Sequence, residues 1–266
     1  MSHVECTAAW LDDALAVARR AAGEAAKVIA RHYRDEGLET MTKADDTPVT
    51  RADIESEQVI RQVLLEAFPD HAIHGEEGGR TGTGECLWLV DPIDGTKSFV
   101  RRYPMFSTQI ALMVRGELVL GVSCAAEFGE TMWARRGGGA WLDGKRVQVG
   151  TAAEWSAASV STGNLKRLAQ GAGWAALGEL IPRLQRIRGY GDFYHYHLLA
   201  RGAVDLVVES DLNILDIAAL AVIVGEAGGV FTDLDGAPIG LDTSSALCGT
   251  PALHAKARDL FAGWLG

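Results

Sequence analysis

Apolar residues recur at helical spacing from about Thr7 to Glu36, in the Ala-rich run TAAWLDDALAVARRAAGEAAKVIARHYRDE, which predicts one long amphipathic helix. A second helix is predicted over RADIESEQVIRQVLLEAF, ended by Pro69, with the polar loop TKADDTPVTRAD leading into it. The pattern then changes. Trp88 to Val90, Ser107 to Val114 and Leu118 to Ala125 are continuous apolar runs that predict buried strands, the last two joined by a turn at Arg115-Gly116-Glu117. Thr131 to Ala134 and Ala140 to Val149 predict further antiparallel strands, punctuated by three glycines and by Asp143-Gly144.

Beyond GTAAEWSAAS (150–159) the composition shifts, and a boundary is expected there between halves 1–150 and 151–266. The second half reads as a strand at Ala158 to Ser161, a helix within Leu165 to Leu184, a helix from Phe193 to Ala200, the strand DLVVE, and a helix from Asp216 to Ala227 closed by Gly228-Gly229. The whole is α+β, with alternating helix and sheet layers.

Composition narrows the function classes. The 266 residues carry a formal charge of −10, which argues against nucleic acid as a partner and disfavours an anionic substrate unless something positive is recruited. No apolar run reaches membrane-spanning length, and the start lacks a signal-peptide pattern. Cys6, Cys86, Cys124 and Cys248 form no CxxC pair or zinc spacing and are expected to be reduced thiols in the cytoplasm.

The chemistry concentrates in WLVDPIDGTKSF, residues 88–99. Pro92 is expected to end the strand, and Gly95-Thr96 to turn the chain into a helix start. Asp91 and Asp94 then share a turn that can aim both carboxylates at one point. The N–H groups of Gly95, Thr96 and Lys97 would offer an anion site beside them. Acids beside an anion site make sense if cations lie between, and hard oxygen ligands with phosphate describe Mg²⁺. The plainer reading is that Asp91 and Asp94 cap the turn and the helix. Glu76 in GEEGG reads equally as a solvated loop acid, and Asp216 as an N-cap.

GEE, WLVDPIDGTKSF and LDIAALAVIVGEAGG together resemble the signature elements of the inositol monophosphatase family of Mg²⁺-dependent phosphatases, and the resemblance runs along essentially the whole chain. RIRGYGDFYHYHLLARGAVDLVVE is most similar to the bacterial histidinol-phosphate phosphatase branch. The resemblance implies a layered α-β-α-β-α sandwich of the inositol monophosphatase and fructose-bisphosphatase type. It further implies a homodimer and hydrolysis of a small phosphorylated alcohol by a water that two to three Mg²⁺ ions activate. Glu76, Asp91 and the Ile93 carbonyl would hold one ion, Asp91, Asp94 and Asp216 a second, and Glu76 with solvent a looser third. Gly95 and Thr96 would bind phosphate, and Thr96 with Asp53 would position the attacking water. Thr50-Arg-Ala-Asp53 is also a capping box, so Asp53 can serve the helix, the site or both. Lys43 matches a family lysine near the site, or is a solvated loop residue.

Substrate selection is assigned to Asp192, Glu209 and Arg188. Two carboxylates near the leaving group suit a cationic alcohol such as histidinol, although Asp192 could instead cap the helix that follows it. The alternatives are an inositol or broad sugar-phosphate phosphatase, and a non-catalytic protein-binding member of the same fold. His195 and His197 are expected to be packing or surface groups. Leu215 stands where the family usually has Trp. The string DxDx[TV] of phosphatases with an aspartyl nucleophile is absent, and ARRGGGAW lacks the context of a dinucleotide fingerprint.

Overall fold

The computed structural model describes residues 5–35, 40–42 and 48–264, so Lys43 lies outside the described residues. The chain opens with helix α1 (Ala8–Arg34), capped by the Thr7 hydroxyl accepting from Trp10 N. Strands β1 (Thr40–Thr42) and β2 (Pro48–Thr50) form an antiparallel pair leading into α2 (Arg51–Ala67). Then come β3 (Ala72–Gly75), β4 (Gly79–Thr81), β5 (Cys86–Asp94) and the short α3 (Thr96–Val100). A meander follows: β6 (Ser107–Val114), β7 (Glu117–Ala125), β8 (Glu130–Arg135), β9 (Ala140–Leu142) and β10 (Lys145–Val147). These strands make an eight-stranded sheet in the order β10-β9-β8-β7-β6-β5-β3-β4, in which β3 runs parallel to β5 and the other pairs are antiparallel.

The second half adds β11 (Ser159–Thr162), α4 (Gly173–Leu180), β12 (Arg186–Arg188), α5 (Asp192–Ala200), β13 (Leu206–Ser210) and α6 (Ile214–Glu226). It closes with β14 (Val230–Thr232), β15 (Ser245–Gly249) and α7 (Pro251–Phe261). Its five-stranded sheet has the order β12-β11-β13-β15-β14.

Side-chain alternation builds the layers. On β5 and β6, Trp88, Val90, Ile110 and Leu112 face α1 and α2, while Leu87, Leu89, Ala111 and Met113 face α6 on the other side. On β13 and β15, Val207, Ala246 and Cys248 face α5 and α6, whereas Leu206, Val208 and Leu247 face α4 and α7. Strands buried on both faces read as unbroken apolar runs, which is why the sequence shows them so clearly. The result is the five-layer α-β-α-β-α sandwich. All four cysteines are free thiols.

One expectation needs correction. β5 does not stop before Pro92: it continues to Asp94, and three residues after Asp91 on β5 match two steps on β6 (Asp91 opposite Gln109, Asp94 opposite Ser107). Pro92 sits in this bulge, where no ladder donor is needed, and its carbonyl accepts from Thr108 Oγ1 at 2.9 Å. The helix expected within Leu165 to Leu184 is α4, and 3₁₀ turns at Leu168–Gln170 and Ile181–Arg183 flank it, where Gly171 and Pro182 interrupt the pattern. β1, β2, β3, β4, β12, β14, β15 and α7 were not foreseen, and β2 lies within the expected loop TKADDTPVTRAD.

Candidate active site

The bulge in β5 is what presents the acids. Asp91 Oδ1 accepts from the Ile93 amide at 3.0 Å, a tight local turn that leaves Asp91 and Asp94 side by side at the strand end. Gly95 follows at φ 90°, and a Cβ there would lie 2.5 Å from the Met105 carbonyl oxygen, so the turn into α3 requires glycine. Gly95, Thr96 and Lys97, at the start of α3, line the same cavity as the acids.

The two remaining carboxylates arrive from different layers. Because β3 runs parallel beside β5, its end carries Glu76 to Asp91, with Glu76 N donating to Val90 O at 3.1 Å. Asp216 comes from the first turn of α6. It is not the N-cap: Asn213 is, and Asp216 completes a capping box by accepting from Asn213 N at 2.8 Å and Asn213 Nδ2 at 2.9 Å. Ligand atoms of Asp91, Asp94 and Asp216 all lie within 4.8 Å of one another.

Three carboxylates at that separation, largely out of water, repel. At an effective dielectric of about 20 each pair costs about 3.5 kcal/mol when both are ionised. The acidities reflect this. Burial, then the charges of Glu76, Asp94 and Asp216, raise Asp91 well above the usual carboxylate range, and burial with Asp192, Asp216 and Glu209 does the same to Asp94. Asp216 is pushed up to about 7, chiefly by burial. All-oxygen donors, clustered and electrostatically unsatisfied, fit a hard divalent cation.

Asp53 shows that its two readings hold together. Its Oδ2 accepts from Thr50 N at 2.8 Å and Thr50 Oγ1 at 2.6 Å, closing the capping box of α2, while Oδ1 lies 3.3 Å from Thr96 Oγ1. Thr96 Oγ1 is also 3.0 Å from the Ile93 carbonyl. Burial raises the Asp53 carboxyl, with the Thr50 hydrogen bonds opposing it.

Of the three residues assigned to substrate selection, two reach the cavity. Asp192 lines its wall and caps nothing: Gly191 is the N-cap of α5, and Asp192 adopts φ 45° at the helix start. Burial and the neighbouring Glu209 raise its carboxyl to about 6. Glu209 is held from behind, accepting from Tyr196 OH at 2.8 Å and Asn164 N at 3.0 Å, with His195 Nε2 at 3.1 Å. These partners outweigh its burial and lower its pKa. Arg188 is not brought to the site. It is exposed on the edge strand β12, its guanidinium turned back onto the Ile187 carbonyl at 2.7 Å, while the residues that follow it, Gly189 to Asp192, line the cavity.

His195 and His197 are both fully buried, but His195 packs with a purpose the sequence did not show, as it braces Glu209. His197 bonds Ser123 Oγ and Glu130 in the layer between the sheets. Lys97, whose amide was expected at the anion site, lines the cavity, as do Arg101 and Tyr103, which were missed as site residues.

Comparison with known proteins bears on what carboxylates converging at the end of a central strand do. The sequence model of the inositol monophosphatase family matches residues 10–262. The chain is 38% identical over 260 residues to a histidinol-phosphatase of Streptomyces coelicolor, covering 92% of this chain and 95% of that one. It is 41% identical over 225 residues to a histidinol-phosphatase of Mycobacterium tuberculosis (80% and 84%). A solved inositol monophosphatase from Thermotoga maritima superposes with a TM-score of 0.81 at 30% identity, covering 97% and 98% of the two chains. The chain belongs to the inositol monophosphatase family and is a phosphoric monoester hydrolase.

Proposed function

We propose that the substrate is histidinol phosphate and that the resident metal is Mg²⁺, held by Glu76, Asp91, the Ile93 carbonyl, Asp94 and Asp216. Bound there, Mg²⁺ would neutralise the acids and the phosphate and would lower the pKa of a water so that hydroxide is available as the nucleophile. The chain's own groups do the rest. The N–H groups of Gly95 and Thr96 hold phosphate oxygens at the start of α3. The Thr96 hydroxyl, when it donates to Asp53 Oδ1, turns its lone pairs outward to accept a hydrogen from the attacking water, and Asp53 is the acceptor that keeps it so. Attack is in line with the departing alcohol, with no covalent phosphoenzyme.

The observation that carries the substrate reading is the pair Asp192 and Glu209 on the cavity wall beyond Asp94. Burial and Glu209 still raise the uncapped, strained Asp192 although Lys97 and His195 oppose them, and the amine of histidinol is a further cation that would meet it. The names of the Streptomyces and Mycobacterium relatives support the same reading. Inositol phosphate is the second candidate, since a relative from Thermotoga carries that name and carboxylates also accept sugar hydroxyls.

The test is turnover of histidinol phosphate and inositol 1-phosphate side by side, in Mg²⁺ and in chelator. A preference of about tenfold or more in kcat/KM for histidinol phosphate, removed by Asp192→Asn, is expected. Equal turnover would contradict the substrate and leave the hydrolase. Full activity in chelator would overturn the metal assignment.

A further inference from the structure

Helix α2 meets the site along one face, with Asp53, Glu57 and Arg61 one turn apart in succession. Asp53 reaches Thr96. Glu57 reaches the other side of the site, the turn that carries Glu76. Its carboxylate, 2% exposed, accepts from Glu77 N at 2.7 Å, Gly78 N at 2.8 Å and Arg61 Nε at 2.7 Å. Arg61 continues the clamp, donating to Gly79 O at 2.6 Å and Thr81 Oγ1 at 2.9 Å across the β3–β4 connection. Gly75 and Gly78 leave the room: a Cβ at Gly75 would sit 2.4 Å from Glu57 Oε1, and one at Gly78 2.8 Å from it and 2.9 Å from Arg61 Nη2.

A buried carboxylate with three charge-assisted or backbone donors is a rigid support. What it supports is the backbone on the C-terminal side of Glu76, whose N-terminal side is already fixed by the bond to Val90 O. We propose that Glu57 is a positioning residue for Glu76: by gripping the Glu77 and Gly78 amides it sets where the Glu76 carboxylate stands against Asp91, and so sets the affinity of the ion site that depends on Glu76. The inference rests on the acid cluster holding divalent ions. Groups that orient metal ligands typically cost about 10- to 100-fold in metal affinity when removed.

The experiment uses chelated full-length protein and Mn²⁺ as the probe, titrated by calorimetry without substrate, alongside the Mg²⁺ concentration giving half-maximal phosphate release. Glu57→Gln, which keeps the shape and loses the charge, is expected to weaken Mn²⁺ binding and raise the half-maximal Mg²⁺ concentration by about tenfold. Its kcat at saturating Mg²⁺ should fall by less than about threefold. Gly78→Ala, which pushes on the same clamp from the other side, should shift both constants in the same direction and decides the matter if Glu57→Gln does not fold. Unchanged Mn²⁺ affinity in both variants, or a loss of kcat with the ion constants unmoved, overturns the proposal. Asp91→Asn separates the two levels: if it too binds Mn²⁺ like the parent, the metal reading itself fails, and if it alone loses binding, only the role of Glu57 fails.

Discussion

Removing one acid from the cluster should make the metal-free protein more stable while ending its activity. Asp94→Asn is the cleanest case, because Asp94 is 9% exposed and its carboxyl is raised by burial and by the charges of Asp192, Asp216, Glu209 and Glu76. Two routes lead to the gain. Each ionised pair within 4.8 Å costs about 3.5 kcal/mol at an effective dielectric of 20. A second route points the same way: burial and the neighbouring acids raise the Asp94 carboxyl on folding, so Asn removes a group whose ionisation the fold disfavours. The groups share protons, so the two do not add, and the relief from one Asn is about 2–4 kcal/mol. With an unfolding entropy of about 2.1 cal/mol/K per residue over 266 residues, that raises the Tm in chelator by about 4–7 °C. Mg²⁺ at a hundred times its Kd stabilises the parent by about 2.7 kcal/mol, or about 5 °C, and should give the variant far less. The sign with pH follows from the same acids. A carboxyl raised on folding loses its proton first in the unfolded chain, so metal-free stability falls as pH rises above about 4, and Asp94→Asn flattens this slope. Thermal melts from pH 5 to 8 with and without Mg²⁺, beside phosphate release, measure all of it. A variant no more stable than the parent in chelator, or equally stabilised by Mg²⁺, refutes the reasoning.

Three other predictions rest on separate residues. Thr96→Val should lower kcat by about 100-fold or more with the Mg²⁺ constant little changed, as measured by phosphate release; a loss under threefold removes the Thr96–Asp53 pair from the reaction. Asp192 titrates at about 6, so below that pH it becomes neutral and KM for a cationic phosphate ester should rise, by up to about tenfold per pH unit, in the parent and not in Asp192→Asn; pH profiles of KM for both proteins check it. Tyr196→Phe removes a hydroxyl donor from buried Glu209 and should cost about 1–2 kcal/mol. Because the Glu209 carboxyl is lowered on folding, its stabilisation is present above the unfolded pKa and lost in acid. The Tm deficit of Tyr196→Phe should therefore be larger at pH 7 than at pH 4.

The long helices and the strands buried on both faces were legible because period and length alone define them: α1, α2, β6, β7 and α6 follow their apolar patterns closely. β5 was read too short for a physical reason. Proline does forbid a ladder donor, and the chain satisfies that rule with a bulge at Pro92, a device visible only once β6 is alongside. β3 and β4 flank GEEGG, whose glycines and charges say loop; the strands exist because β5 and the Glu57–Arg61 clamp hold them. α7 did carry its signal, Thr250 as N-cap before Pro251, and went unread. In the site, the acids and Thr96 were legible through their motifs. Asn164, His195 and Tyr196 were not, since bracing Glu209 is a property of tertiary contact and leaves no local spacing. Arg188 was misplaced for the same reason: it ends a short edge strand, and nothing local tells that its side chain folds back onto Ile187 while the next residues line the cavity.

The central claim is that Asp91, Asp94 and Asp216, with Glu76, form one ion-binding cluster at the end of β5. Anomalous diffraction from crystals soaked in Mn²⁺ tests it most directly. The account predicts at least one strong anomalous peak enclosed by Asp91, Asp94 and Asp216, lost in Asp91→Asn. Full-length protein showing no peak among those carboxylates at millimolar Mn²⁺ would contradict it.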